Sequence, residues 1–391
     1  MPATPVAGMP GFTPYSSDVV HSGPVDVGQA INLDNIRGKT IVITGGASGF
    51  GAACSRHWAS HGANIILGDL NHQQGTELVS QLRQTTENAQ HHFIPLDVTS
   101  WTSQVHFFRE AARLSPHGGI DTVMANAGIA DAEEQRLFEQ QVPDYSRLDG
   151  PAPPPPPPKL RTYETNLTGV LYTAHLALSY LSRNPGSQKC KCTTTTGHQA
   201  EAAAAAAAAP RDRHLLLVAS VAGLAGLPGQ PLYTAAKHGV VGLFRSLRIT
   251  SPITLGVRVN MINPYFVDTP ILGPLGAFVL AGGAMARLEA VVEASTRLVA
   301  DHGIIGRGLI IASKTSKEHA EAVGLEPQTE HYDDRNQEIW DCYADDFEQS
   351  DLFTRRIVAV TNLVTSARGL IGIWVDIGSN LSRRFWRALG Y

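Results

Sequence analysis

The stretch TIVITGGASGFG, residues 40–51, runs from an apolar, β-branched segment into a turn with glycines at 45, 49 and 51. The apolar run is typical of a buried strand, and the glycines remove side chains where the chain must turn tightly. A strand that turns into a helix presents free N–H groups and the positive end of a helix dipole, which suits a pyrophosphate. The spacing G-x3-G-x-G differs from the standard G-x-G-x-x-G, so a plain glycine-rich turn is the alternative interpretation.

Seven apolar segments recur along the chain and alternate with segments of helical spacing. The strand candidates are TIVIT at 40–44, NIILGD at 64–69, HFIPLDV at 92–98, DTVMANAG at 121–128, HLLLVAS at 214–220, VRVNMINP at 257–264 and GLIIAS at 308–313. Continuous apolar character is typical of strands that are covered on both faces. The alternation predicts an α/β fold, with a doubly wound, Rossmann-like, seven-stranded parallel sheet and helices on both faces.

The distribution of these segments predicts one Rossmann-type domain and two extensions. The domain covers 36–313, after an N-terminal extension at 1–35 and before a mainly helical C-terminal extension at 314–391. Two stretches of biased composition, a proline run at 150–160 and an alanine-rich stretch at 186–213, are expected to be surface inserts because neither can join the sheet.

Composition and charge exclude several functional classes. The chain has 391 residues, 43% hydrophobic content and a net charge of −4, so a large core is expected and no nucleic-acid partner is predicted. Four irregularly spaced cysteines predict neither a disulfide framework nor a metal site. The N-terminus does not resemble a signal peptide, and no run of 18 apolar residues occurs, so we expect a cytoplasmic protein without a membrane-spanning helix.

The end of the C-terminal extension is apolar and basic. Residues Ile357, Val360, Val364, Ala367, Ile371 and Trp374 follow helical spacing. A helix that packs on the core or on another subunit is one interpretation of this pattern. Peripheral contact with a membrane surface is the other, because the ends of the segment are rich in aromatic residues and arginine.

Acidic residues follow the second and third strand candidates. Asp69 comes 18 residues after Gly51, where a carboxylate would accept hydrogen bonds from an adenosine ribose. The same carboxylate would repel a 2′-phosphate, which favours NAD over NADP. The alternative for Asp69 is a helix N-cap. Asp97 could meet the adenine edge or cap a helix.

Tyr233 and Lys237 are four residues apart in YTAAK, so on a helix they share one face. Free tyrosine has a pKa of about 10 and is a poor base at neutral pH, but a fixed ammonium together with a cationic nicotinamide lowers that pKa and favours the phenolate. Ser220 lies 13 residues upstream, where its hydroxyl could hold a substrate oxygen. Singly these residues have ordinary interpretations, as a packed aromatic, a solvated charge and a helix cap. Their joint occurrence after the glycine turn favours a catalytic set.

With these motifs the chain resembles the short-chain dehydrogenase/reductase superfamily over 36–313. The matching features are T-G-x3-G-x-G at 44–51, Asp69, DV at 97–98, NAG at 126–128, Asn166 in TNLTG, Ser220 and Tyr233-x3-Lys237. The stretch NPYFVDTP at 263–270 takes the place of the family's Pro-Gly stretch, with Tyr265 where glycine is common. The segment MINPYFVDTPIL and the tail resemble fungal secondary-metabolism members of the 5′-hydroxyaverantin dehydrogenase type.

The resemblance implies a role for each matching residue. Tyr233 would be the general acid/base, and Lys237 would lower its pKa and bind the nicotinamide ribose. Ser220 would orient the substrate oxygen, and Asn166 would hold a water in the proton relay. Asn126 and Gly128 would support the cofactor, while Val267 and Thr269 would contact the nicotinamide amide. The implied cofactor-binding set is Thr44, Gly45, Ser48, Gly49, Phe50, Gly51, Asp69, Asp97, Val98, Asn126, Gly128, Tyr233, Lys237, Val267 and Thr269.

Residues and resemblance together predict an NAD-dependent dehydrogenase that oxidises a secondary alcohol to a ketone. The expected substrate is hydrophobic and of polyketide type, under a mobile lid formed by 270–300, with Tyr265 narrowing the cleft. An NADPH-dependent ketoreductase and a non-catalytic scaffold or membrane-associated protein are the alternatives. Helices at 162–182 and 233–249 would pair subunits in relatives, which predicts a homodimer or homotetramer.

Overall fold

The computed structural model describes residues 22–140, 156–190, 211–272, 285–313 and 337–342, together with residues 356, 360, 363 and 367. The chain divides into two compact units, one of Val20–Ala344 and one of Met1–Val19 with Asp345–Tyr391. In the smaller unit the described residues Arg356, Val360, Leu363 and Ala367 are helical and exposed. Ile357, Val364, Ile371 and Trp374, which belong to the predicted helix, lie outside the described residues.

An eight-stranded sheet forms the centre of the larger unit. Its strands are β1 Thr40–Thr44, β2 Asn64–Asp69, β3 His92–Pro95, β4 Thr122–Ala125, β5 His214–Val218, β6 Arg258–Pro264, β7 Gly308–Ile311 and β8 Ile339–Cys342. The order across the sheet is β3-β2-β1-β4-β5-β6-β7-β8, and the first seven strands are parallel. Each parallel strand lies within a predicted segment, so the predicted fold class is confirmed. Because the order reverses between β1 and β4, the crevice beyond their carboxyl ends is the expected place for a ligand.

Strand β8 was not predicted, because it lies in the segment assigned to a mainly helical extension. It pairs antiparallel with β7, with Gly308 opposite Cys342. The four residues of β8 lie in a polar stretch and are too few to show a strand periodicity. Its pairing with β7 therefore depends on tertiary contacts, which the sequence pattern does not reveal. Asp341 provides two of these contacts, since its Oδ2 accepts hydrogen bonds from Val25 N at 2.7 Å and from Arg307 Nε at 3.0 Å.

Helices cover both faces of the sheet, as predicted. They are α1 Gly49–Ser60, α2 His72–Thr86, α3 Trp101–Leu114, α4 Ala132–Gln140, α5 Arg161–Tyr163, α6 Gly169–Ser182, α7 Pro231–Thr254 and α8 Leu288–Ala300. Successive strand residues point to opposite faces, so Ile41 and Ile43 pack with α1, α2 and α8, whereas Val42 packs with α3, α6 and α7. A π-helical segment, Glu164–Thr168, joins α5 to α6 inside the predicted helix at 162–182.

The described parts of the predicted extension and inserts are short. Residues 22–35 belong to the larger unit and pack against α8, where Arg297 donates hydrogen bonds to the carbonyl oxygens of Asp26, Val27 and Gln29. Residues 156–160 of the proline-rich insert are exposed, and most of both inserts lies outside the described ranges. Among the described helices, none has the length and apolarity needed to cross a bilayer.

Candidate active site

Two physical constraints require glycine in the turn between β1 and α1. Gly45 and Gly49 have φ angles of +64° and +49°, in the left-handed region that side chains disfavour. A Cβ on Gly51 would collide with the Gly45 carbonyl oxygen and would lie 2.8 Å from Gly46 Cα. Ser48, the N-cap of α1, makes no side-chain capping hydrogen bond. The turn therefore brings bare backbone and the first N–H groups of a helix to the carboxyl edge of the sheet, as a pyrophosphate requires.

Asp69 lies beside this turn at the end of β2. Its Oδ2 accepts a hydrogen bond from Ala47 N at 3.0 Å, and its Oδ1 accepts one from Asn71 N at 2.9 Å. The alternative reading as a helix cap is wrong, because Asn71 is the N-cap of α2 and accepts from Gln74 N. The half-buried carboxylate is thus held against the glycine turn, and its contact with an adenosine ribose stays a prediction.

Asp97 and Val98 follow β3 at the same edge. The Asp97 carboxylate accepts hydrogen bonds from the backbone and hydroxyl of Thr99, at 2.9 and 2.7 Å. Ser100, and not Asp97, is the N-cap of α3. Val98 is buried, and a Cβ on Gly169 would lie 2.8 Å from Val98 Cγ2. Contact of Asp97 with an adenine edge stays a prediction.

Asn126 ties the end of β4 to the glycine turn. Its side-chain amide donates to the carbonyl oxygens of Thr44 and Gly45, at 3.0 and 2.8 Å, and its backbone N–H donates to the Thr44 hydroxyl at 3.1 Å. Through these contacts, the end of β4 stabilises the conformation of the glycine turn. Phe50, in the first turn of α1, is half-buried and packs against the core.

Asn166 lies in the π-helical segment and is fully buried. Its Oδ1 accepts from Ile129 N and its Nδ2 donates to Ile129 O, both at 2.8 Å. A Cβ on Gly128 would lie 3.2 Å from Asn166 Oδ1, so glycine leaves room for this pairing. Short π-helical segments often occur at functional sites. The predicted role of Asn166 in holding a water remains a prediction.

Ser220, Tyr233 and Lys237 come together at the carboxyl end of β5. The Ser220 side chain interacts with the Tyr233 hydroxyl, and Lys237 Nζ lies 5.6 Å from the centroid of the Tyr233 ring. Lys237 is 4% exposed and donates to Val218 O at 3.0 Å, which excludes the solvated-charge interpretation. The half-buried Tyr233 and the hydroxyl of Ser220 therefore form one polar cluster beside the buried ammonium.

The segment after β6 passes over the glycine turn. A Cβ on Gly49 would lie 3.8 Å from Thr269 Cβ, and the Thr269 hydroxyl donates to Val267 O at 3.3 Å. Val267 is buried in the core, so Thr269 is the better placed of the two for contact with a cofactor. Tyr265 is 37% exposed and packs edge-on against Phe266, with ring centroids 4.8 Å apart.

The predicted lid at 270–300 is only partly a surface segment. Residues 270–272 form a short 3-10 helix, and 273–284 lie outside the described residues. The prediction is wrong for α8, because Ala290, Val291 and Ala294 are buried in the core. Small apolar residues at helical spacing suit close packing on a sheet as well as they suit a lid.

Sequence comparison places the chain in a family. The profile of the family described as short chain dehydrogenase matches residues 39–210 and 201–278. The chain belongs to the short chain dehydrogenase family. It is an oxidoreductase that acts on CH–OH groups with a nicotinamide cofactor, which agrees with the resemblance inferred from the motifs.

Two relatives of this dehydrogenase share the name 5′-hydroxyaverantin dehydrogenase. The protein from Dothistroma septosporum is 33% identical over 290 residues, which cover 72% of this chain and 86% of the relative. The protein from Emericella nidulans is 36% identical over 300 residues, which cover 74% and 88%. A structure of 3-ketoacyl-(acyl-carrier-protein) reductase from Brucella melitensis complexed with NADH has a TM-score of 0.52 at 20% identity, covering 70% of this chain and 97% of that one, and confirms the fold.

The electrostatics of the dehydrogenase differ from the prediction in one respect. Burial raises the pKa of Tyr233, and the interaction with the Ser220 side chain acts in the opposite direction. Burial also lowers the pKa of Lys237 to about 8. The sequence argument counted the ammonium but not the loss of hydration of the phenol. The described side chains therefore leave the Tyr233 pKa above its ordinary value, and its lowering by the positive charge of an oxidised nicotinamide stays a prediction.

Sequence reasoning missed Glu134 and Gln135 of α4. The Glu134 carboxylate accepts hydrogen bonds from the backbone N–H groups of Arg161 and Thr162, and Gln135 Oε1 accepts from those of Leu232 and Tyr233. The pattern Asp-x-x-Glu at 131–134 predicts only a local capping box of α4. No sequence signal indicates that Glu134 reaches a helix 27 residues away.

Replacing Gly51 with alanine should weaken cofactor binding. The added Cβ must displace the backbone of the turn, which costs about 1–3 kcal/mol of the free energy of unfolding and moves N–H groups away from a phosphate. Loss of about one hydrogen bond lowers affinity roughly tenfold. Titration of NAD by protein fluorescence and thermal denaturation measure the two effects.

The matched control for Gly51→Ala is Gly242→Ala in α7. Gly242 is exposed, and a Cβ there meets nothing within 4 Å. Alanine should stabilise the helix by up to about 1 kcal/mol and leave NAD affinity unchanged. Equal NAD affinity in the two variants would contradict a phosphate-binding role for the turn.

Proposed function

We propose that this dehydrogenase uses NAD to oxidise a hydrophobic secondary alcohol to a ketone. The choice of NAD rests on the Asp69 carboxylate, which accepts a hydrogen bond from Ala47 N in the glycine turn. Its negative charge favours the free ribose hydroxyls of NAD over the 2′-phosphate of NADP. A domain at 36–313 would carry this activity between the two predicted extensions.

The cluster at the end of β5 supports a proton-transfer role for Tyr233. Bound NAD would supply the acceptor for the hydride that leaves the carbinol carbon. Tyr233 would take the hydroxyl proton, and Ser220, whose side chain interacts with that of Tyr233, would hold the substrate oxygen within reach. Lys237 would bind the nicotinamide ribose and stabilise the phenolate from its buried position.

The expected substrate is a polycyclic, polyketide-type alcohol. Both relatives reported above are named for 5′-hydroxyaverantin, and Tyr265 and Phe266 provide an aromatic pair directly after Pro264, whose carbonyl oxygen accepts from the Ser220 hydroxyl. Such a pair favours a flat apolar ligand near the reacting oxygen. Cytoplasmic localisation, subunit pairing and membrane contact of the C-terminal segment stay predictions from the sequence.

The proposal is tested with the purified full-length protein and a panel of secondary alcohols. Aliphatic, steroidal and aromatic polyketide alcohols are offered with NAD or NADP, and the reduced cofactor is followed by its absorbance. We expect turnover with NAD and the fastest rates with the aromatic class. Reduction of the matching ketones with NADPH, without NAD-dependent oxidation, would favour the ketoreductase alternative. An absence of turnover across the whole panel would favour the scaffold.

A further inference from the structure

The two helices that carry Asn166 and Tyr233 are not capped by their own N-cap side chains. The N-cap of α5, which leads through the π-helical segment to Asn166, is Leu160 and makes no side-chain cap. The N-cap of α7 is Gln230, which also makes none. The first N–H groups of a helix require partners when they are buried, so another part of the chain must supply them.

Glu134 supplies the cap for α5. Its carboxylate accepts from Arg161 N at 2.6 Å and from Thr162 N at 2.9 Å, and the Thr162 hydroxyl also donates to it. Glu134 is 6% exposed and Thr162 is fully buried. A buried carboxylate at a helix N-terminus makes strong, charge-assisted hydrogen bonds, so the start of the Asn166 helix is held firmly to α4.

Gln135, the next residue, supplies the cap for α7. Its Oε1 accepts from Leu232 N at 2.9 Å and from Tyr233 N at 3.3 Å, and its side chain is fully buried. One of these bonds goes to the backbone of Tyr233 itself. The position of the Tyr233 Cα therefore depends directly on the Gln135 amide.

The other end of the same segment is tied to the cofactor side of the cleft. Asn126 binds the carbonyl oxygens of the glycine turn, and Ile129 pairs with both polar atoms of the Asn166 amide. Residues 126–135 thus contact the glycine turn, the Asn166 helix and the Tyr233 helix within ten residues. The glycine turn, Asn166 and Tyr233 are otherwise separated from one another by more than sixty residues of sequence.

From these contacts we propose that Glu134 and Gln135 are positioning residues that fix Tyr233 relative to Asn166 and the cofactor turn. The inference rests on the proposed function of Tyr233 as the acid/base. A proton transfer requires its heavy atoms to stay within hydrogen-bond reach, and displacements of about 1 Å can cost up to a hundredfold in rate. Loss of the Gln135 cap should therefore lower kcat more than it changes cofactor binding.

The test replaces Gln135 with methionine, which keeps the length of the side chain and removes the acceptor. We expect kcat to fall by about tenfold or more, while the KM for NAD changes by less than about twofold. Gln135→Glu retains an acceptor at the same reach and should restore part of kcat, because burying a second carboxylate beside Glu134 is unfavourable. The matched control is Gln140→Met, on the same helix at an exposed position, which should leave both constants unchanged.

A readout that does not depend on turnover separates this inference from the proposed function. Hydrogen exchange of the backbone at Leu232 and Tyr233 should accelerate about tenfold or more in Gln135→Met, because the cap that protects these N–H groups is gone. Gln140→Met should exchange like the wild type. If Gln135→Met does not fold, Gln135→Asn, with a shorter amide, replaces it in both measurements.

Three results would overturn the inference. Unchanged exchange at the start of α7 would show that Gln135 does not hold it, whatever the activity of the enzyme. An unchanged kcat in a variant with faster exchange would show that the cap does not position Tyr233. Wild-type exchange in Gln135→Glu without recovery of kcat would show that the cap alone does not position Tyr233. Absence of turnover in the wild type would count against the proposed function alone.

Discussion

Replacement of Tyr233 by phenylalanine should lower kcat by about 10³-fold or more, because the side chain proposed to take the proton of the alcohol would lose its hydroxyl. General acid/base groups contribute about 10²–10⁴-fold, and Tyr233 lies beside the buried ammonium of Lys237. The ring itself would stay, so packing and the hydrogen bond from Tyr233 N to Gln135 are retained. Steady-state kinetics with the best alcohol of the panel measure the effect.

The control for this substitution is Tyr172→Phe. Tyr172 lies on α6 and packs edge-on against Trp101, with ring centroids 5.4 Å apart. It has no contact with Ser220 or Lys237, so kcat should stay within about twofold of the wild type. NAD affinity, followed by fluorescence, should be similar in both variants. A Tyr233→Phe enzyme with more than a tenth of the wild-type kcat would contradict the assignment of the base.

Replacement of Asp69 by asparagine should remove most of the preference for NAD. Two unit charges about 5 Å apart at an effective dielectric constant of about 20 interact by about 3 kcal/mol, which is roughly a hundredfold in affinity. We therefore expect the ratio of kcat/KM for NAD to that for NADP to fall by about a hundredfold. Asparagine has one acceptor where Asp69 uses two, so one of the N–H groups of Ala47 and Asn71 loses its partner and the melting temperature should fall.

Asp97→Asn is the matched control for the cofactor choice. Asp97 follows β3 at the same edge of the sheet and accepts from Thr99, and the adenine that it was predicted to meet is common to both cofactors. The ratio of kcat/KM for NAD to that for NADP should therefore stay within about threefold of the wild-type value. Salt screens the interaction between charges that are more than about a Debye length apart. A wild-type preference for NADP, or an unchanged ratio in Asp69→Asn, would refute the role given to Asp69.

The strands and the glycine turn could be predicted because their physical causes are local. A parallel strand buried on both faces is apolar throughout, as β1 and β5 are, and a turn that needs left-handed backbone at Gly45 and Gly49 leaves glycines in the sequence. Tyr233 and Lys237 could be paired because helical spacing alone brings them to one face.

Features that depend on tertiary contacts were not predictable in the same way. Strand β8 pairs with β7, and its Asp341 bonds to Arg307 and Val25, which lie far away in sequence. The raised pKa of Tyr233 follows from burial, which a motif does not report. The caps from Glu134 and Gln135 connect segments 27 to 98 residues apart, so no local pattern reveals them.

The central claim is that a hydride passes from a carbinol carbon to the cofactor while Tyr233 takes the hydroxyl proton. The most direct measurement uses an alcohol with deuterium on the carbinol carbon, together with NAD, and determines the isotope content of the reduced cofactor by mass spectrometry. The wild type should transfer one deuterium per turnover into the cofactor in unlabelled water, and Tyr233→Phe should transfer essentially none in the same time. Reduced cofactor without the label, or equal transfer by both proteins, would contradict the account.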